Sequence, residues 1–157
     1  MNTFTNIFVS LFYFGYFKKW PGTLASIVSI IIIFPIIEFN IVSKIILIIF
    51  FIITFTLSLF LIDKYSIDNK SHDSKEIVID EFLGVLLIFI FYEHIYYINT
   101  IVTLLLIFFL FRFFDILKIF PANIIDKKMK NSFGVILDDI VASIYTIFVL
   151  YLINVYN

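Results

Sequence analysis

Eighteen consecutive residues, Ile45 to Ile62, carry no charge, and that run decides what this chain can fold into. A bilayer crossing needs roughly 17–25 predominantly apolar residues. No water reaches the backbone inside lipid, so a run of this length must pair its own N–H and C=O groups as an α-helix. Similar apolar blocks lie at Leu24 to Ile37, from Ile77 to near Tyr92, at Thr100 to Ile119 and at Val135 to Val155. Hydrophobic residues make up 62% of the 157-residue chain, against about 45–50% in soluble domains, and the excess falls in these blocks. The expected fold is all-α: one domain over residues 1–157, a polytopic membrane bundle of about five membrane-embedded helices. Residues 4–17 are apolar and aromatic but too short to span, which predicts an N-terminal interfacial or re-entrant segment.

The polar residues mark the boundaries. Lys18-Lys19-Trp20-Pro21-Gly22-Thr23 combines basic residues, an interfacial Trp and a turn dipeptide. Pro35 predicts a kinked or abbreviated first crossing. Glu38 to Lys44 and Glu93 to Asn99 read as turns, Asp63 to Glu76 and Pro121 to Phe133 as extramembrane loops. Lys18, Lys19, Lys64, Lys70, Lys75, Lys118, Lys127, Lys128 and Lys130 then share one side, and only Lys44 lies on the other. The positive-inside rule places the N-terminus in the cytoplasm and the C-terminus outside. Met1-Asn2-Thr3-Phe4 lacks the basic start of a secretory signal. There is no cysteine, which excludes disulfides, thiolate metal sites and a Cys nucleophile. The lysines sit at membrane boundaries, so membrane lipid rather than nucleic acid is the expected partner. Oligomeric state is not legible.

Against this apolar background, the charges in three segments stand out. Asp80 and Glu81 open the third crossing; Arg112, Asp115 and Lys118 close the fourth; Asp138 and Asp139 begin the fifth. All lie at the cytoplasmic boundary of the expected topology. Each charge costs roughly 2.5–3.5 kcal/mol at the bilayer centre and less near its edge. Arg112, Asp115 and Lys118 recur every three residues and share a helix face. Gly84 leaves room above Asp80 and Glu81 for a ligand or another helix, and Ala142, Ser143 and Thr146 suit close helix packing. Gathered carboxylates repel one another unless protonated or neutralised by a metal. Hard oxygen ligands suit Mg²⁺, with Arg112 and Lys118 left to hold a phosphate. Taken singly, each feature has a plainer reading. Asp80-Glu81 and Asp138-Asp139 are also what a helix N-terminus favours, Arg112 with Asp115 is also an intramembrane ion pair, and Lys127, Lys128 and Lys130 suit anionic lipid. Glu38, Glu93 and His94 read as ordinary interfacial residues, His72 as a solvated one, and Pro21-Gly22-Thr23 as a turn before it is a phosphate cradle.

Four stretches in order carry a resemblance to the phosphatidylglycerophosphatase A family. They are Pro21-Gly22-Thr23 with Ser26, preceded by Gly15; Asp73 with Ile77-Val78-Ile79-Asp80-Glu81 and Gly84; Phe111-Arg112-Phe113-Phe114-Asp115 with Lys118 and Pro121; and Gly134-Val135-Ile136-Leu137-Asp138-Asp139. Departures from the family's pattern fall at Ala25, Ile119, Phe120, Lys127-Lys128 and Asn131-Ser132, and none removes a carboxylate or Arg112. The resemblance implies Mg²⁺-dependent removal of the terminal phosphate from phosphatidylglycerophosphate in the bacterial inner membrane. On that reading Asp80, Glu81, Asp115, Asp138 and Asp139 are catalytic. Asp80, Glu81, Asp138 and Asp139 bind metal, and Arg112, Lys118 and Thr23 bind the phosphate; Asp115 is either a further ligand or the partner of Arg112. A cation or proton carrier and a non-catalytic membrane scaffold are the alternatives for the same acidic cluster.

Overall fold

In the computed structural model the described residues are 3–69, 74–95 and 99–156. Lys70, His72, Asp73 and the middle of the Glu93 to Asn99 turn lie outside them. Among the described residues the regular elements are all helical: α1 (Thr3–Val9), a 3₁₀ turn (Phe14–Tyr16), α2 (Pro21–Glu38), α3 (Lys44–Asn69), α4 (Ile79–Ile90), α5 (Tyr92–Ile95), α6 (Thr100–Leu117), α7 (Ala122–Lys128) and α8 (Ser132–Tyr156). Helices α2, α3, α6 and α8 are long and apolar enough to cross a membrane.

The fifth membrane-embedded helix, α4, differs in kind. Its 12 residues extend only about 18 Å, against a hydrocarbon core of about 30 Å. Nine of those residues are buried, whereas 22–39% are buried in the apolar windows of the four long helices, whose other sides are left for lipid. α4 is therefore the central post, packed on α8, α2 and α3. Gly84 explains how the neighbours approach it. A Cβ there would come within 2.8 Å of the Phe111 ring and 2.9 Å of Ser143 Oγ, so the space above Asp80 and Glu81 is taken by α6 and α8. On α8, Ala142, Ser143 and Thr146 are buried. The two hydroxyls donate to Asp139 O at 2.8 Å and Ala142 O at 2.9 Å, which satisfies them within the helix and leaves a slim packing face.

Helix ends depart from the expected limits for local reasons. α2 starts at Pro21, three residues early, because proline suits a first helical position whose N–H has no partner anyway. Pro35 does not end it; the helix runs on to Glu38. α3 does not stop at Ile62 but continues to Asn69, with Tyr65 and Ser66 buried. In this extension the Asp63 carboxylate accepts a hydrogen bond from Ser132 N at 3.1 Å, so it caps the start of α8 instead of opening a loop. α8 itself begins at Ser132, and Asn131 Oδ1 accepts from Gly134 N at 2.9 Å, an N-cap of ordinary type.

The N-terminal segment is two-sided. Thr5, Val9, Ser10 and Leu11 are buried while Phe12, Tyr13 and Phe17 are exposed. Leu11, Phe12 and Tyr13 all have left-handed φ values of 47°, 55° and 69°, each costing roughly 1–2 kcal/mol. The turn is held by Phe12 N donating to Ile7 O at 2.8 Å and Gly15 N donating to Ser10 O at 2.9 Å. Tyr13 N donates to Ser10 Oγ at 3.0 Å. Val78 N donates to Val9 O at 3.1 Å, which ties this segment to the residues that launch α4. At the opposite end of the bundle Lys44 meets Glu93 at 3.8 Å, and Asn154 Nδ2 donates to His94 O at 3.1 Å.

Candidate active site

The eight residues singled out from the sequence line one cavity of about 960 Å³ at one end of the bundle: Thr23, Asp80, Glu81, Arg112, Asp115, Lys118, Asp138 and Asp139. Four helices, α4, α6, α7 and α8, deliver its acids. Asp80 and Glu81 occupy the first turn of α4, where the helix dipole favours them. Asp139 comes from α8, seven residues past Ser132, or about 10 Å along the helix. One oxygen from each of Asp80, Glu81 and Asp139 lies within 4.8 Å of the others. Glu81 Oε2 and Asp139 Oδ2 are buried with no hydrogen-bond partner, a costly state for carboxylate oxygens. A hard divalent cation fits that donor set, since it takes carboxylate oxygens and offsets their repulsion.

Asp138 stands apart from this trio. Its Oδ2 accepts a 2.7 Å charge-assisted bond from Lys118 Nζ, which also pairs with Asp126. Lys118 ends α6 in a left-handed conformation with φ 45° and donates its N–H to Phe114 O, an αL helix end that turns the chain towards α7. Burial acts to lower the pKa of the Lys118 ammonium, but its hydrogen bonds to Asp126 and Asp138 outweigh it and the pKa is raised. Lys118 is thus a fixed positive charge.

Arg112 Nη1 sits 2.7 Å from Asp115 Oδ2 and 3.6 Å from Glu81 Oε1, with all three side chains largely buried. Asp115 is therefore the partner of Arg112. The guanidinium also reaches across to α4, and its Nε is buried without an acceptor. Gly22, in the first turn of α2, lets this arrangement close: a Cβ there would overlap Glu81 Oε1 and lie 3.2 Å from Arg112 Nη1. Thr23 beside it lines the cavity, as do Lys18, Lys19, Lys75 and Lys130; Lys127 and Lys128 do not.

Several supporting residues carry no signal in the sequence. Asp126 lies in a segment that reads as basic. Tyr65, buried in α3, donates its hydroxyl to Glu76 Oε2, which also accepts from Ser74 Oγ at 3.2 Å. Gly15, which the first motif already includes, packs against the Glu76 backbone, where a Cβ would overlap it. This knot holds residues 74–78 just ahead of Asp80. A spacing pattern shows none of it, because each partner is brought in by the fold.

A family model described as Phosphatidylglycerophosphatase A matches residues 7–154. Over 45 residues the chain is 51% identical to Phosphatidylglycerophosphatase A of Haemophilus influenzae, a stretch that covers 29% of this chain and 28% of that relative. No solved structure matches. The matched region runs through all four helices able to cross a membrane and holds every residue of the cavity's acid trio and its cations; the chain is a membrane protein and belongs to the phosphatidylglycerophosphatase A family.

Proposed function

We propose that this protein hydrolyses the terminal phosphate monoester of phosphatidylglycerophosphate, releasing phosphatidylglycerol and inorganic phosphate. The observation that carries the reading is the meeting of the Asp80, Glu81 and Asp139 oxygens with Arg112 and Lys118 on one cavity. Asp80, Glu81 and Asp139 would hold Mg²⁺, which when bound polarises a phosphoryl oxygen and acidifies water. Arg112, through its acceptor-free Nε, and Lys118 neutralise the phosphate, and the N-terminus of α2 at Gly22-Thr23 faces it with the positive end of a helix. In the reaction a water oxygen bonds to phosphorus, the phosphorus–oxygen ester bond breaks, and the alcohol leaves with a proton. Lys118 contributes charge rather than that proton, because its carboxylate partners hold it protonated.

Orientation follows from charge. Lys18, Lys19, Lys75, Lys118 and Lys130 surround the cavity end, while Lys44 lies at the other. By the positive-inside rule the cavity opens to the cytoplasm, with the N-terminus on that side of a bacterial inner membrane. A cation or proton carrier would need its acids at mid-depth and open to both ends; the trio here faces one end.

The test is phosphate release from the purified, detergent-solubilised protein, with Mg²⁺, after EDTA, and after Mg²⁺ is restored. Release that stops with EDTA and returns with Mg²⁺ supports the reading. Release unaffected by EDTA removes the metal, and no release under any condition removes the activity. Gly22→Ala provides a finer check. Its Cβ displaces the end of a flexible side chain, so unfolding should shift by no more than about 1 kcal/mol while turnover falls about tenfold or more as Glu81 moves. Gly84→Ala should do the reverse, because there the collision is with the core. Equal effects of the two substitutions on turnover would mean that Gly22 does not place Glu81.

A further inference from the structure

The cavity has two chemically distinct levels, and the lower one leaves the upper unexplained. At about 960 Å³ it lies near the top of the roughly 300–1,000 Å³ range of small-molecule sites, far more than one phosphate fills. The deep cations are committed to carboxylates: Arg112 to Asp115 and Glu81, Lys118 to Asp126 and Asp138. Lys18, Lys19, Lys75 and Lys130 also line the cavity, but all four are exposed and form no ion pair with a described carboxylate. They come from three separate stretches: the approach to α2, the residues ahead of α4, and the link from α7 to α8. Unpaired positive charge therefore surrounds the mouth, above a floor where Arg112 and Lys118 divide their charge between carboxylates and the terminal phosphate.

We infer that this lysine rim is a second phosphate subsite, which takes the phosphodiester of the lipid while the terminal phosphate occupies the floor. It selects headgroups carrying two phosphates over lipids carrying one. The inference rests on the phosphatase reading and deepens it. A phosphate monoester attached directly to the diacylglycerol, as in phosphatidic acid, presents nothing to the rim once its only phosphate is at the floor. Trp20 stands beside Lys18 and Lys19 on the wall with 76% of its surface exposed, the place an amphipathic ring takes at headgroup level.

The experiment compares phosphatidylglycerophosphate with phosphatidic acid of the same acyl chains, in a neutral detergent that contributes no anionic lipid. Two variants are measured against the unaltered protein: Lys18→Gln with Lys19→Gln, and Lys75→Gln with Lys130→Gln. The expected result is a KM for phosphatidylglycerophosphate raised about tenfold with kcat kept, and a preference over phosphatidic acid that falls by the same factor. Equal losses on both lipids would overturn the subsite, leaving a rim that attracts any anion. No change in either variant would overturn it as well. If the unaltered protein hydrolyses neither lipid, the phosphatase reading falls and the subsite with it; if it hydrolyses both with no preference, only the subsite falls.

Discussion

Asp139→Asn is expected to lower kcat by about 10²–10³-fold, a loss of the size found when one charge-stabilising group is taken from an active site, while the protein folds as well as before. The side chain keeps its shape but loses the charge that faces Asp80 and Glu81. Asp139 Oδ2 is already buried without a hydrogen-bond partner, so an amide at that atom breaks no hydrogen bond of the native side chain. Removing one of three clustered negative charges also relieves repulsion. Thermal unfolding in detergent without divalent metal should therefore stay level or improve. Added Mg²⁺ should raise the midpoint of the native protein by mass action and leave that of the variant nearly unmoved. A variant whose kcat stays within about threefold of native would sink the assignment of Asp139 to the cation.

Arg112→Ala is expected to do the opposite to stability. Its guanidinium lies between Asp115 and Glu81, both largely buried. Removing one member of a buried ion pair leaves the other charge uncompensated and costs about 3–5 kcal/mol. Most of that loss should return in Arg112→Met combined with Asp115→Asn, where fewer charges stay buried, yet phosphate release should not return. Arg112→Lys should recover part of the stability at most, since a single ammonium cannot reproduce the planar fork. Denaturant unfolding of the three variants, set beside their turnover, separates the two roles. An Arg112→Ala protein as stable as native would show that the pair is not holding α6 against α4.

Much of this fold is legible in the sequence because lipid imposes a length. An apolar run near 18 residues has one way to satisfy its backbone, so the four long helices follow from residue type alone. Their ends are less legible. The Ile45 to Ile62 run stops where charge begins, yet α3 continues because Tyr65 and Asp63 find partners on other segments, and a distant partner leaves no local mark. The site divides in the same way. Asp115 lies one helical turn from Arg112 and its pairing can be read by spacing. The contact from Arg112 to Glu81 cannot, nor can the choice between Asp138 and Asp139, which are adjacent in sequence but turned to different neighbours by the helix. Gly84 is instructive as well: its spacing shows that something comes close, and only the packed helices show that it is Phe111 and Ser143 rather than a ligand.

The brevity of α4 has a consequence for the lipid itself. A post of about 18 Å among helices that traverse a slab of about 30 Å falls short by about 12 Å, and the short α5 follows at the end away from the acids. The cavity lined by Asp80 and Glu81 therefore opens over the end of the shortest of these helices, between longer neighbours. For the lipid substrate proposed above, the headgroup must pass between those longer helices to reach the acids. Bilayer thickness and tail length then enter the free energy of substrate capture alongside the headgroup.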